Sequence, residues 1–282
     1  MKQNKAPFIL RVIRWSFPKL EFISAPLALS FFERIFFTPF KYKTPIKELE
    51  TESLASTFQI DLEGKAIQGY EWGEAAKPYV LVIHGWAGRA TQFRKFIPVF
   101  NNNGYNVIGF DGPAHGRSEG KKTNLFEFEA VLKKIIELKG MPVGIIAHSF
   151  GGGVALMAIM NGLNVKKLIN IASPTISNEI IKTYLKALNG SWKTGERFKE
   201  LIQKKHGKPF EEFTAMHFIK HITDLELMLV HDKDDDNVLI IQAEELIKQY
   251  PQAKLLATKG LGHNRILKDD AVIQACLDFI RE

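Results

Sequence analysis

Residues 143–152 read VGIIAHSFGG, and after Gly153 an apolar helical run, VALMAIM, follows. The first four residues are strand-like, and the serine comes where the strand ends. A serine held on a tight strand-to-helix turn needs small residues two positions before and two after it, because the turn brings neighbouring backbones too close for larger side chains. Those positions are Ala147 and Gly151. Ala147 stands where glycine is usual and adds one methyl to a crowded site. A glycine-rich turn of this kind also binds phosphate at a helix N-terminus. Against that, the loop has no lysine in phosphate-loop spacing, and no Gly-x-Gly-x-x-Gly occurs at the first strand-helix turn. Ser149 is therefore read as a nucleophile.

Working outward, short runs rich in Val and Ile alternate with longer helical stretches: YVLVIHG (79–85), YNVIGFD (105–111), KLINIAS (167–173), ELMLVHD (226–232) and AKLLATKG (253–260). Nearly continuous apolarity implies strands buried on both faces. The expected fold class is α/β, a mostly parallel central sheet with helices on both faces. Right-handed crossovers then collect the carboxyl ends of the strands along one edge, where ligands bind. TFQIDL and AIQGYEW, separated by Glu63, Gly64 and Lys65, suit a hairpin ahead of these strands. Between Pro174 and Thr223 the rhythm breaks. ISNEIIKTYLKAL, FKELIQKK and FEEFTAMHFIKHI read as helices, expected to form a small helical cap at about 175–222 over the strand ends. No period repeats and no low-complexity tract occurs.

Three further loops end strands. His84-Gly85-Trp86 follows the first parallel strand, and a glycine there lets a backbone amide, that of Trp86, point at a carbonyl under attack. The amide of Phe150, one residue after the serine, is the second donor. His84 is read as bracing the loop. The run Asp232-Lys233-Asp234-Asp235-Asp236-Asn237-Val238 is either a solvated acidic turn or a source of an orienting carboxylate. It lacks the glycine and the final glutamate of an EF-hand loop. In Gly260-Leu261-Gly262-His263, flexible glycines let the last histidine of the chain reach over the sheet edge towards Ser149. Arg265 is placed to anchor that loop.

With these motifs quoted, residues 57–282 resemble the alpha/beta-hydrolase superfamily, a likeness carried by His84-Gly85-Trp86, by DGPAHGRS (111–118), by the turn at Ser149 and by the two late loops. The aromatic helix ending near Thr38-Pro39 also resembles an extension seen in some bacterial members. The resemblance implies the order Ser149, acid, His263. It places the acid three residues before a Val that opens the next helix, which selects Asp235 with Asp234 as its rival. It implies that the loop at 111–118 borders and braces the site, with no chemical role for Asp111, His115 or Arg117. The expected activity is hydrolysis of a carboxylic ester or related acyl compound through Ser149, His263 and Asp235. Peptidase, thioesterase and lipid hydrolase chemistry, or a non-catalytic ligand-binding protein of the same fold, are the alternatives. Ser at the elbow, where a dehalogenase carries Asp, disfavours dehalogenation. No metal or organic cofactor is implied, and the substrate-binding residues are not specified.

The chain of 282 residues, 45% hydrophobic and 24% charged, is long enough to bury one large core. Its single cysteine, Cys276, excludes an internal disulfide and a clustered cysteine metal site. The net charge of +7 is concentrated in residues 1–50, which hold nine Lys or Arg against four Glu. This segment also carries Phe8, Trp15, Phe17, Phe22, Phe31, Phe32, Phe36 and Phe37. It is read first as a basic, aromatic helical arm (1–50) packing on the hydrolase domain (51–282). Peripheral contact of residues 1–40 with an anionic membrane is the second reading. Within the arm, PLALSFFERIFF (26–37) has amphipathic helical spacing. Arg11, Arg14 and Lys19 interrupt any secretory h-region, so a cytoplasmic location is expected. The stretch 140–165 is free of charge but punctuated by Pro142 and Gly151–Gly153, as strand, turn and helix rather than a membrane span. The basic charge comes with no groove-reading motif, so no nucleic-acid partner is expected.

Overall fold

The computed structural model describes residues 8–282. Helices α1 (Phe8–Ile23), α2 (Ala25–Phe36) and α3 (Ile46–Ser53) lead into the hairpin β1 (Ser56–Leu62) and β2 (Lys65–Trp72). There follow β3 (Tyr79–Ile83), α4 (Phe96–Asn102), β4 (Asn106–Phe110), α5 (Leu125–Lys139), β5 (Gly144–His148), α6 (Phe150–Met160) and β6 (Lys167–Ile171). The chain then runs through α7 (Ser177–Leu188), α8 (Trp192–His206), α9 (Ala215–Phe218), β7 (Glu226–Asp232), α10 (Ile241–Gln249), β8 (Lys254–Thr258), α11 (Gly262–Arg265) and α12 (Asp270–Arg281).

The eight strands form one sheet in the order β1-β2-β4-β3-β5-β6-β7-β8. Only β2 runs against its neighbours, and β3 to β8 are parallel throughout. The fold class is thus the expected α/β arrangement. Period-two alternation explains the two layers. Leu81, Ile83, Ile145 and Ala147 face one core with Phe128, Leu132 and Leu156 of α5 and α6. Val80, Val82, Ile146 and Ile169 face the other with Phe96, Phe100, Cys276 and Leu277 of α4 and α12. The expectation of burial on both faces holds for β3, β4 and β5, whose residues are all buried. It fails at β8, the edge strand of the sheet, where Lys254, Leu255 and Ala257 are exposed, the faces of the sheet being less covered at its margin than over β3 to β5.

The chain divides into two compact units, one of residues 39–175 with 215–282 and the other of residues up to 38 with 176–214. The boundary therefore falls at Thr38, not at residue 50, and the arm groups with the insert. Packing gives the reason. Phe17, Ala28 and Phe32 of α1 and α2 share a core with Ile181, Leu185, Leu188, Phe198 and Ile202 of α7 and α8. Phe32 meets Phe198 edge-on at 5.1 Å. Each fully buried Phe is worth about 1.5–3 kcal/mol, so Phe17 and Phe32, expected to pack on the hydrolase domain, are spent here instead. Lys2 and Lys5 of the basic segment, and the side chain of Phe8, lie outside the described residues. The third expected helix of the insert, FEEFTAMHFIKHI, is broken. Thr214 is extended (φ −125°, ψ 155°) and separates a turn at Phe210–Phe213 from α9.

Candidate active site

Ser149 leaves β5 with φ +52° and ψ −122° and opens α6. A non-glycine residue in this region stores about 1–3 kcal/mol, and the neighbours hold it there. Ser149 N donates to Ile171 O of β6 at 2.8 Å, while Ser149 O accepts from Ser173 Oγ at 2.7 Å. The need for a small residue at 151 is steric. A Cβ on Gly151 would stand 2.6 Å from Ile83 O and 2.9 Å from His84 O. The methyl of Ala147 is accommodated in the core layer with Ile83 and Ile145, fully buried.

His263 lies in α11, reached through Gly262 at φ +63°. Its Nε2 is 3.2 Å from Ser149 Oγ, and its Nδ1 is 2.8 Å from Asp235 Oδ2. Asp235 is buried, and its other oxygen accepts the amides of Asn237 and Val238, both at 2.9 Å. Burial alone raises a carboxyl, but the His263 hydrogen bond and charge together with those two amides hold Asp235 below its ordinary value. Asp234 is exposed and makes no such contact: its amide donates to Asp232 Oδ1 at 3.0 Å. The acidic run is therefore divided between jobs, and among the described residues no group of three or more His, Cys, Asp or Glu is arranged to hold a metal ion.

Residues not singled out in the sequence hold this geometry. Asp232, the last residue of β7, accepts Thr258 Oγ1 at 2.6 Å and Leu261 N at 3.0 Å, tying the loop that carries Asp235 to the loop that carries His263. Its burial raises the carboxyl, yet the Thr258 hydroxyl and three amides outweigh this and lower it to about 2. His148 sits beside Ser149 and donates from Nε2 to His263 O at 2.9 Å, holding the backbone of His263; its Nδ1 is buried with no partner. The only signal for either was position, at a strand's last residue. Arg265 Nη2 donates to Gly260 O at 2.7 Å, closing the same loop.

On the other side of Ser149, the loop after β3 is braced by histidines. His84 donates from Nδ1 to Gly85 O (2.7 Å) and accepts Gly112 N at Nε2 (2.9 Å). His115 donates from Nδ1 to Pro113 O (2.9 Å) and accepts Ala87 N at Nε2 (3.0 Å). Ala87 N is thus claimed by His115 and Gly88 N by Gly85 O. Among the described residues, Trp86 N has no such partner. Phe150, first residue of α6, likewise presents one of the amides that a helix leaves open at its start. The Trp86 ring packs edge-on against Phe150 (5.2 Å) and His115 (5.3 Å), fixing the loop between them. Asp111 accepts Ala90 N, Arg117 N and Tyr70 OH, so it braces backbone.

Burial lowers His84 from the ordinary 6.5 to about 4. It lowers His148 to about 3, helped by His263, and His115 to about 3, helped by His84. All three rings are neutral at pH 7, as their single-donor bonding requires. The unfolded chain takes up these protons near 6.5 and the fold refuses them until about 3 to 4. Between those values the unfolded state binds more protons, and stability falls as pH falls. The expected slope in chemical denaturation is up to about 1.4 kcal/mol per pH unit for each ring, beginning below pH 6.5, above the range where Asp235 and Asp232 contribute. Stability that stays flat down to about pH 5 would show the rings charging within the fold.

The alpha/beta hydrolase fold profile matches residues 78–268. YugF of Bacillus subtilis, named an uncharacterized hydrolase, is 24% identical over 113 residues, 39% of this chain and 41% of its own. Serine hydrolase-like protein 2 of Homo sapiens is 30% identical over 117 residues, 40% of this chain and 37% of its own. The match thus spans about two-fifths of these curated relatives. An esterase from Pyrococcus furiosus superposes with a TM-score of 0.65 at 18% identity, covering 86% of this chain and 96% of that one, a likeness of fold.

Proposed function

Because this chain belongs to the alpha/beta hydrolase fold family, we propose that it is a serine hydrolase that cleaves a carboxylic ester or related acyl compound. The observation that carries this reading is the line of hydrogen-bonding atoms from Asp235 through the His263 ring to Ser149 Oγ, at 2.8 and 3.2 Å. His263 Nε2 removes the Ser149 proton as Oγ bonds to the carbonyl carbon, and the amides of Trp86 and Phe150 receive the oxyanion. Collapse of the tetrahedral species breaks the bond to the leaving alcohol, which takes the proton from His263. Water, deprotonated by the same ring, then releases the acid and restores the serine. Asp235 keeps Nδ1 protonated and faces the imidazolium that forms at each step.

The names of the human relative and of the archaeal neighbour agree with this reading. A fluorophosphonate probe tests it. The native chain is expected to form one covalent adduct, on the peptide containing Ser149, and the heat-denatured chain none. Native protein that leaves Ser149 unlabelled would instead favour a ligand-binding role on the same fold.

A further inference from the structure

Helix α1 carries apolar side chains on two faces, and α7 and α8 account for one of them. Ile13, Phe17 and Leu20 turn into the aromatic core of their unit. A second row, Val12, Trp15, Phe22 and Ile23, continued by Leu27 of α2, stays in solvent. Trp15 is 67% exposed, Phe22 93%, Ile23 77% and Leu27 60%. At 3.6 residues per turn, the row within α1 falls in roughly a third of the helix circumference. A surface helix ordinarily turns polar residues outward, and a contiguous apolar row left there marks a docking face.

The charge on this face has one sign. Arg11 and Lys19 are exposed in the same sector, and Lys19 Nζ lies 3.0 Å from the centroid of the Trp15 ring. The single acid of α1, Glu21, is spent inward, accepting from Ser191 N at 2.9 Å, Ser191 Oγ at 3.0 Å and Thr194 Oγ1 at 2.6 Å. Arg14 also turns inward, to Ala187 O at 2.9 Å.

We propose that this face docks on an anionic lipid bilayer, with α1 lying in the interface. Trp15, Phe22 and Ile23 enter the headgroup and acyl boundary, and Arg11 and Lys19 meet lipid phosphates. The pairing of exposed apolar side chains with cations is the composition that a membrane surface accepts at both ends, and the Trp15 indole, apolar in its body and polar at its N–H, suits the boundary between them. A second copy of the chain would set like charges against each other. Among the described residues no helix is long and apolar enough to cross a membrane, and this contact calls for none.

The test is co-sedimentation of the full chain at low salt with phosphatidylcholine vesicles, with and without phosphatidylglycerol. Binding is expected only with phosphatidylglycerol and is expected to fall with added salt. Trp15→Ser with Phe22→Ser, and separately Arg11→Glu with Lys19→Glu, should each weaken partitioning by about tenfold or more. All four side chains are exposed, so circular dichroism should show an unchanged fold. Failure of the native chain to bind phosphatidylglycerol vesicles, or native-like binding by both double variants, would overturn the proposal. So would a concentration-dependent dimer, abolished by Trp15→Ser with Phe22→Ser, in a chain that ignores vesicles.

Discussion

Ser149→Ala is expected to lower the hydrolysis of an activated ester by about a hundred-thousandfold or more, with the thermal midpoint nearly unchanged. Stability is spared because Ser149 Oγ has one hydrogen-bond partner, His263 Nε2, whereas the turn is held through the backbone of residue 149 by Ile171 and Ser173. Alanine has the same backbone preferences at φ +52° as serine, so the strain of the elbow stays as it was. In the proposed mechanism activity is lost because the oxygen that would form the acyl bond is gone, while the Trp86 and Phe150 amides would keep only their share of the rate. Residual hydrolysis well above the uncatalysed rate is compatible with that share. An alanine variant with full activity would mean that another group is the nucleophile.

The second large effect separates two neighbouring carboxylates. Asp235→Asn should cost about ten-thousandfold in turnover, while Asp234→Asn should stay within about threefold of native. The reason is donor and acceptor counting. Asp235 accepts two backbone amides on Oδ1 and the His263 Nδ1 hydrogen on Oδ2. An asparagine has one acceptor oxygen. If that oxygen keeps the Asn237 and Val238 amides, its NH2 faces His263 and forces Nδ1 to accept. The ring proton then sits on Nε2, and the base facing Ser149 is occupied. Asp234 offers only its backbone amide to this network and its side chain to solvent. Steady-state rates for the two variants, each checked for native folding, decide the assignment. Equal losses in both would point to the summed charge of the loop rather than to one hydrogen bond.

The sheet was legible because parallel strands buried on both sides are written as apolar runs, and each of the loops bearing Trp86, Ser149, Asp235 and His263 follows such a run. β8 misled for the same reason: its apolar letters do not reveal that it lies at the sheet's margin. Ser149 and His263 were readable as positions because a turn and a glycine-flanked loop leave compositional traces. His148 and Asp232 were not, since a histidine that holds a carbonyl and a carboxylate that holds amides look like any others in sequence. The arm was readable as helical and aromatic, but its partners lie some 150 residues away in the chain, beyond the reach of any local pattern.

That separation also sets a clock. A ribosome adds about 5–20 residues per second, so α7 and α8 leave it roughly ten to thirty seconds after α1 and α2. For that interval the nascent arm shows not one apolar face but two, including Phe17 and Phe32, which are buried in the finished protein. The outward row is permanent, whereas the inward one is a transient of synthesis, and during that interval the emerging chain has most need of a chaperone or a surface to shelter it.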